Sequence, residues 1–177
     1  HIITYQATPQ GPLPFGQQLE NVVELHDGRH DLTFRQQANS WVNAPDIAAT
    51  ITAVSNQPLA ATVVTYTVGL QNVGLASSNQ ISTVISLPNS FHIITDTLSS
   101  TAGNAAVGDR RIYWEGDLAR AESVTVTLVL TREITAVSQW VAATALVDDG
   151  VTNPTFFTEW TYLPVYSQFL PRVLYIQ

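Results

Sequence analysis

The alternation of apolar and polar side chains in short segments is the feature that most constrains the fold of this chain. Between residues 62 and 70 every second side chain is apolar, namely Val64, Tyr66, Val68 and Leu70. Successive side chains of a β-strand point to opposite faces of a sheet, so this segment presents one apolar and one polar face. A turn signal, Asn72-Val73-Gly74, follows it. The pattern predicts a strand with one buried face that ends at this turn.

Similar segments recur along most of the chain. They are residues 47–54, 80–87, 91–97, 111–114, 124–130, 140–147 and 156–162. Gly, Pro and Asn residues separate them, and no long window carries the apolar stripe of an amphipathic helix. Short strands at such spacings are typical of a β-sandwich. We therefore predict an all-β fold.

The charge of the chain limits its partners. Charged residues make up 12% of the sequence, and the net charge is −7. Nucleic acids and anionic membrane surfaces are bound through basic patches, so the composition argues against both. No apolar stretch approaches the roughly 18 residues that a membrane-spanning helix requires. Cys and Lys are absent, which excludes disulfides and Lys–Asn isopeptide cross-links.

Four motifs follow one another between Pro45 and about Thr161. They are PDIAATITAV, TVVTYTVGLQNVGLASSNQISTVISLP, RIYWEGDLARAESVTVTLVL and WVAATALVDDG. In this order they resemble the DUF11 domain, a repeat of bacterial and archaeal secreted surface proteins. The resemblance implies an immunoglobulin-like β-sandwich over about residues 46–161 and an extracellular, cell-surface location.

Residues 1–42 look like the closing part of a second copy of this repeat. HIITYQA parallels SVTVTLVL, and LENVVELHDGRHDLTF parallels WVAATALVDDGVTNPTF. The alignment matches Asp27-Gly28 with Asp149-Gly150, and Phe34 with Phe156. We therefore predict an immunoglobulin-like sandwich with extra strands from a partial second repeat in residues 1–42, followed by an apolar tail in residues 162–177.

Three strands of a partial sandwich leave an apolar face and an open sheet edge that something must cover. Either residues 1–42 dock on their own complete module, or a strand from another copy completes them. The apolar tail is a candidate donor strand. The residues that we expect at such inter-subunit contacts are Ile3, Tyr5 and Ala7 in the first segment, and Phe169, Val173 and Tyr175 in the tail.

Histidines offer two candidate metal sites. His1 could bind copper through its amine and imidazole with a second histidine, but its neighbours match an internal strand of the repeat. His26 and His30 would share one face of a helix. Here they flank a predicted hairpin turn, which favours a solvated loop. We predict no metal and no cofactor.

Aspartates offer a candidate calcium site. Asp148 and Asp149, and also Asp27 and Asp31, could supply oxygen ligands. A hairpin turn explains the same Asp-Gly pattern, and we favour the turn.

Aromatic residues could form a platform for polysaccharide. The candidates are Trp41, Tyr113, Trp114, Trp140, Trp160 and Tyr162. Because aromatic side chains bury large areas, we expect most of them in the sandwich core or at module junctions, and Trp114 in the core. No hydrolase, zinc-protease or nucleotide-binding motif occurs, and we predict that the chain is not an enzyme.

Two functions remain open. The first is an extracellular structural subunit of a filament, stalk or surface layer, assembled head to tail with other copies of itself by β-strand exchange. The second is a non-catalytic carbohydrate-binding or adhesion module of a larger secreted protein. The partial repeat favours the first function.

Overall fold

The computed structural model describes residues 6, 8, 10, 11, 13–56, 61–133 and 138–163. Within these ranges the chain is all-β and contains no helix, so no helix there could cross a membrane. The strands are β1 (Gln18–Asp27), β2 (Leu32–Trp41), β3 (Ile47–Asn56), β4 (Ala61–Asn72), β5 (Ser78–Ser86), β6 (His92–Ser100), β7 (Asn104–Gly108), β8 (Arg111–Leu118), β9 (Ser123–Glu133), β10 (Gln139–Asp148) and β11 (Thr155–Leu163). The predicted all-β fold is confirmed.

Strands β3 to β11 form two antiparallel sheets. One has the order β3-β4-β9-β6, and the other has the order β11-β10-β5-β8-β7. Three strands, β6, β7 and β8, come between β5 and β9 along the chain. A constant-type immunoglobulin domain has a single strand at that point, and a variable-type domain has three, of which the two that extend the second sheet come first. Here β6, which belongs to the first sheet, precedes β7 and β8. The immunoglobulin-like topology therefore stays a prediction, whereas the β-sandwich architecture is evident.

The inner faces of both sheets share one core. In β4, Val64, Tyr66, Val68 and Leu70 are each at most 1% exposed, as the alternation predicted. Strand β9 contributes Val124, Val126, Leu128 and Leu130, and β10 contributes Val141, Ala143, Ala145 and Val147. Residues of both sheets belong to the same buried cluster. Continuous apolar burial between two sheets is the main stabilising term of a sandwich.

Asn72 organises the turn that follows β4. Its side chain is fully buried, and its Nδ2 donates to the carbonyl oxygens of Ala76 (2.8 Å) and Leu118 (3.1 Å). Its Oδ1 accepts from the backbone N–H groups of Gly74 (3.0 Å) and Asp46 (3.4 Å). A Cβ on Gly74 would lie 2.5 Å from the carbonyl oxygen of Ala44, so this position requires glycine.

Trp114 lies on the inner face of β8 and is fully buried, as predicted. Its indole N–H is within hydrogen-bonding distance of the Ser100 hydroxyl (3.1 Å) and the Ala102 carbonyl (2.8 Å). Two glycines lie against its ring: a Cβ on Gly116 would be 2.7 Å from Cζ2, and one on Gly103 would be 2.8 Å from the same atom. The Trp114 ring therefore fits only because residues 103 and 116 are glycines, which have no side chain to occupy the same space.

The β1–β2 hairpin forms a separate two-stranded sheet. Its strands contact mainly each other. The pairing continues across its base through hydrogen bonds from the Gly16 N–H to the Val42 carbonyl (3.2 Å) and from the Val42 N–H to the Gln17 carbonyl (2.9 Å). Nearly all of its side chains are exposed. The hairpin thus extends from the sandwich without contributing to its core.

The register of this hairpin differs by one residue from that of β10–β11. Leu25 pairs with Phe34, whereas the sequence alignment of the two repeats places Leu25 opposite Thr33. In β10–β11, Val147 pairs with Thr155, and Leu146 pairs with Phe156. Because a one-residue shift reverses the faces of a strand, Phe34 and Phe156 point to opposite faces of their hairpins. The two phenylalanines therefore do not occupy equivalent positions in the structure, and the repeat in the sequence stays a prediction.

Candidate functional site

The aromatic residues divide into one core residue and several surface residues. Trp114 is buried, but Trp41, Trp140 and Trp160 are 66%, 62% and 60% exposed. Tyr113 and Tyr162 are also exposed. Of the two expected locations, the sandwich core therefore holds only Trp114 among these six residues, and the alternative location at module junctions stays a prediction. The inner positions of β10 include the small residues Ala143 and Ala145. In the same strand pair Trp140, Trp160 and Tyr162 point outwards, whereas Phe157 packs against the core.

Three of the exposed rings lie together on the outer face of β10–β11. Trp140 pairs with Tyr162, and their ring centroids are 5.1 Å apart at an interplanar angle of 49°. The next pair on this face is Ala142 with Trp160. We call Trp140, Trp160 and Tyr162 the aromatic face. Its location at the edge strand β11 leaves it open at the side.

The surroundings of the aromatic face are uncharged. Beyond Trp160 the same face continues with the pair Thr144–Thr158 and then the pair Leu146–Phe156. None of these side chains carries a formal charge at neutral pH. A ligand of this face would meet aromatic rings, hydroxyl groups and an indole N–H, and no ionic group on these paired positions.

A second apolar surface lies on the β1–β2 hairpin. The cross-strand pairing places ten side chains on one face. Five of them are large and apolar, and we call these five the hairpin face: Leu19, Val23, Leu25, Leu32 and Phe34. Four of these five are between 49% and 62% exposed. The same face also carries the small Ala38 and the polar residues Asn21, Asp27, Gln36 and Ser40. The opposite face carries Glu24 and Arg35, whose side chains form an exposed ion pair at 3.7 Å. The hairpin is therefore amphipathic, and the described part of the chain leaves its apolar face largely uncovered.

Two of the aspartates that were candidate calcium ligands, Asp148 and Asp149, accept hydrogen bonds from the backbone of their own turn. Asp149 Oδ1 accepts from the N–H groups of Val151 (2.9 Å) and Thr152 (2.7 Å), and its Oδ2 accepts from the Thr152 hydroxyl (2.9 Å). Asp148 Oδ1 accepts from the Gly150 N–H at 2.9 Å. These contacts are those of hairpin turns. Among the described residues no three acidic, histidine or cysteine side chains come close enough to hold a metal ion.

The histidines of the β1–β2 turn have separate partners. His30 Nδ1 lies 2.7 Å from Asp27 Oδ2, and His26 Nδ1 lies 3.3 Å from the Thr33 hydroxyl. The hydrogen bond from His30, with one from the Arg29 N–H, lowers the pKa of the Asp27 carboxyl. All of these groups are exposed to solvent, which fits the solvated loop that the sequence favours.

The residues predicted for inter-subunit contacts lie outside the described residues. These are Ile3, Tyr5, Ala7, Phe169, Val173 and Tyr175, and His1 is outside them as well. Sequence reasoning named Trp140, Trp160 and Tyr162 among the candidates for a polysaccharide platform, but it did not group these three. It also predicted an apolar face within residues 1–42, but it did not name the residues of that face. The hairpin face could have been found by pairing the two strands around the Asp27-Gly28 turn.

Comparison with known proteins gives little further information. No family model and no curated protein matches the chain. Among solved structures, an inactive mutant of a GH20 exo-β-N-acetylglucosaminidase from Vibrio harveyi is similar with a TM-score of 0.40 and 10% identity, over 68% of this chain and 18% of that one. The same enzyme in complex with N-acetylglucosamine gives 0.40 and 12% over the same shares. The Fcho1 Mu homology domain of Danio rerio, with bound Eps15 peptide, gives 0.29 and 14%, over 73% and 50%. Similarities at these TM-scores support no functional assignment.

Proposed function

We propose that the chain is a structural subunit of an extracellular filament, stalk or surface layer, in which the hairpin face is covered by another copy of the chain. The observation that carries this proposal is the apolar face of a two-stranded hairpin that the described part of the chain leaves exposed. The resemblance to a secreted surface repeat and the absence of catalytic motifs agree with a structural role.

The energetics of the hairpin support this proposal. A lone two-stranded hairpin is at best marginally stable in water. Leu25 and Phe34, which pair directly, are 62% and 57% exposed. Burying a large apolar side chain fully contributes about 1.5–3 kcal/mol. A partner that covers this pair and its neighbours would therefore stabilise both the hairpin and the assembly.

The arrangement of the surfaces favours an open polymer. The hairpin precedes the sandwich along the chain. In the described part of the chain, the edge strands of the sandwich are β3, β6, β7 and β11. A contact between the hairpin of one copy and the sandwich of the next joins two different surfaces. Such heterologous contacts produce open filaments unless the rotation between copies closes a ring.

Sedimentation velocity and electron microscopy of the full chain test the proposal. We expect concentration-dependent assembly into fibres. Leu25→Asp should abolish it, because the substitution places a charge on the surface to be buried. Val22→Asp is the matched control, because Val22 is exposed on the opposite face of the same strand. A wild-type protein that stays monomeric at every concentration would contradict the proposal, as would equal losses in the two variants.

A further inference from the structure

The aromatic face points to a ligand that the assembly proposal does not explain. We propose that Trp140, Trp160 and Tyr162 bind an extended, neutral polysaccharide by stacking against the apolar faces of its pyranose rings. This inference does not depend on the proposed assembly, because the aromatic face and the hairpin face lie on different strands.

The position of the rings is unusual for structural residues. Large aromatic side chains contribute most to stability when they are buried. Here two tryptophans are at least 60% exposed, while alanines of the same strand fill the core. The neighbouring outward residues Ala142, Thr144 and Thr158 are small, so the indole rings stand above the surface around them. This arrangement leaves ring faces accessible to a ligand.

Charge and chemistry select the class of ligand. The net charge of −7 disfavours anionic polymers, and the paired positions around the rings are neutral. A pyranose ring offers an apolar C–H face and a rim of hydroxyl groups. The aromatic face offers the complementary combination, since its rings are flanked by the hydroxyl groups of Thr144, Thr158 and Tyr162. The hairpin face, by contrast, is mainly aliphatic, as protein interfaces that become buried often are.

The geometry favours a polymer over a single sugar. Successive outward pairs are about 7 Å apart along the strands, since a strand rises about 3.4 Å per residue. The pairs that contain Tyr162 and Trp160 are neighbours, so adjacent sugar units of one chain could contact both. An open face surrounds much less of a small ligand than an enclosed pocket does. A polysaccharide chain compensates for the smaller contact area, because once one sugar unit is bound the next unit is held at a high effective concentration near the neighbouring ring.

Binding of the full chain to defined polymers tests the inference. The polymers are insoluble cellulose, chitin and mannan in depletion assays, with their hexasaccharides in titration calorimetry. We expect at least one neutral polymer to bind. Trp160→Ala and Trp140→Ala should each weaken binding about tenfold, the effect of one lost stacking contact. Trp160→Phe should retain most of the affinity because it keeps a ring.

Trp41→Ala is the matched control, because Trp41 is an equally exposed tryptophan on the β1–β2 hairpin. Its affinity should equal that of the wild type. The inference is overturned if none of the three polymers binds, or if Trp41→Ala weakens binding as much as Trp160→Ala. It is also overturned if Trp160→Ala abolishes self-association instead, because the aromatic face would then be a protein interface. Unchanged far-ultraviolet circular dichroism and an unchanged melting temperature identify the variants that are correctly folded.

Discussion

The contact between Gly116 and Trp114 makes a quantitative prediction about the core. A Cβ on residue 116 would lie 2.7 Å from Cζ2 and 2.9 Å from Cη2 of the Trp114 ring. It would also lie 3.2 Å from the Cα of Gly103, so the ring cannot move freely away from it. Gly116→Ala therefore forces either the indole or the backbone of β8 to shift.

The magnitude follows from two opposing effects. Overpacking a well-packed core costs about 1–3 kcal/mol. Replacing glycine by alanine within a strand would otherwise gain about 0.5–1 kcal/mol, because alanine loses less backbone entropy on folding. We therefore expect Gly116→Ala to lower the free energy of unfolding by about 1–2 kcal/mol, measured by urea denaturation.

Gly108→Ala is the control. A Cβ there would meet only the Tyr113 ring, at 3.4 Å, and Gly108 is not in the left-handed region. This variant should be as stable as the wild type or slightly more stable. In the double variant Gly116→Ala/Trp114→Phe, the smaller ring removes the atoms that clash, so the two losses should not add. Additive losses, or a Gly116→Ala protein as stable as Gly108→Ala, would refute the assigned packing.

Three further predictions concern single polar groups. Asn72→Ala should lower the free energy of unfolding by about 2–4 kcal/mol, because the buried backbone groups that it binds lose their partner; the exposed Asn39→Ala should change it little in the same denaturation assay. The hydroxyl of Thr83 is buried and has no hydrogen-bond partner among the described residues. Thr83→Val should therefore raise the melting temperature, and it should raise the free energy of unfolding by about 1 kcal/mol. A lower free energy of unfolding would contradict this prediction. The pKa of Asp27 is lower in the folded hairpin than in the unfolded chain. The ionised carboxylate therefore stabilises the hairpin at pH values above the ordinary carboxyl pKa, and this stabilisation is lost as the pH falls through the lowered pKa of the folded state. In an NMR titration, His30→Ala should move the pKa of Asp27 upwards, and an unchanged value would contradict the role of His30.

Much of the sandwich could be predicted from the sequence because alternation and burial coincide in its central strands. Strand β7 was missed, because its residues 104–108 are mostly small and none of them is fully buried. Its place in the sheet comes from pairing with β8, which a local pattern does not reveal. The strand that was predicted at residues 111–114 continues to Leu118, and the local pattern does not reveal this extension either.

The two candidate surfaces could not be predicted from periodicity alone. Both faces of β10 are largely apolar, with Trp140 and Leu146 on one and Val141 and Val147 on the other. The alternation of apolar and polar residues along β10 therefore does not indicate which of its two faces is buried. The hairpin face depends on register, because a shift of one residue decides whether Phe34 lies on the same face as Leu25. The sequence motifs predict a hairpin here but do not define its register.

Hydrogen exchange of the full chain as a function of protein concentration tests most directly whether another copy covers the hairpin face. The account predicts that backbone amides of β1 and β2 exchange quickly in dilute solution and become protected as the concentration rises. Amides of the central strands β4 and β9 should stay protected throughout, because the core of each copy encloses them. Hairpin amides that exchange at the same rate at every concentration, whether fast or slow, would contradict the account.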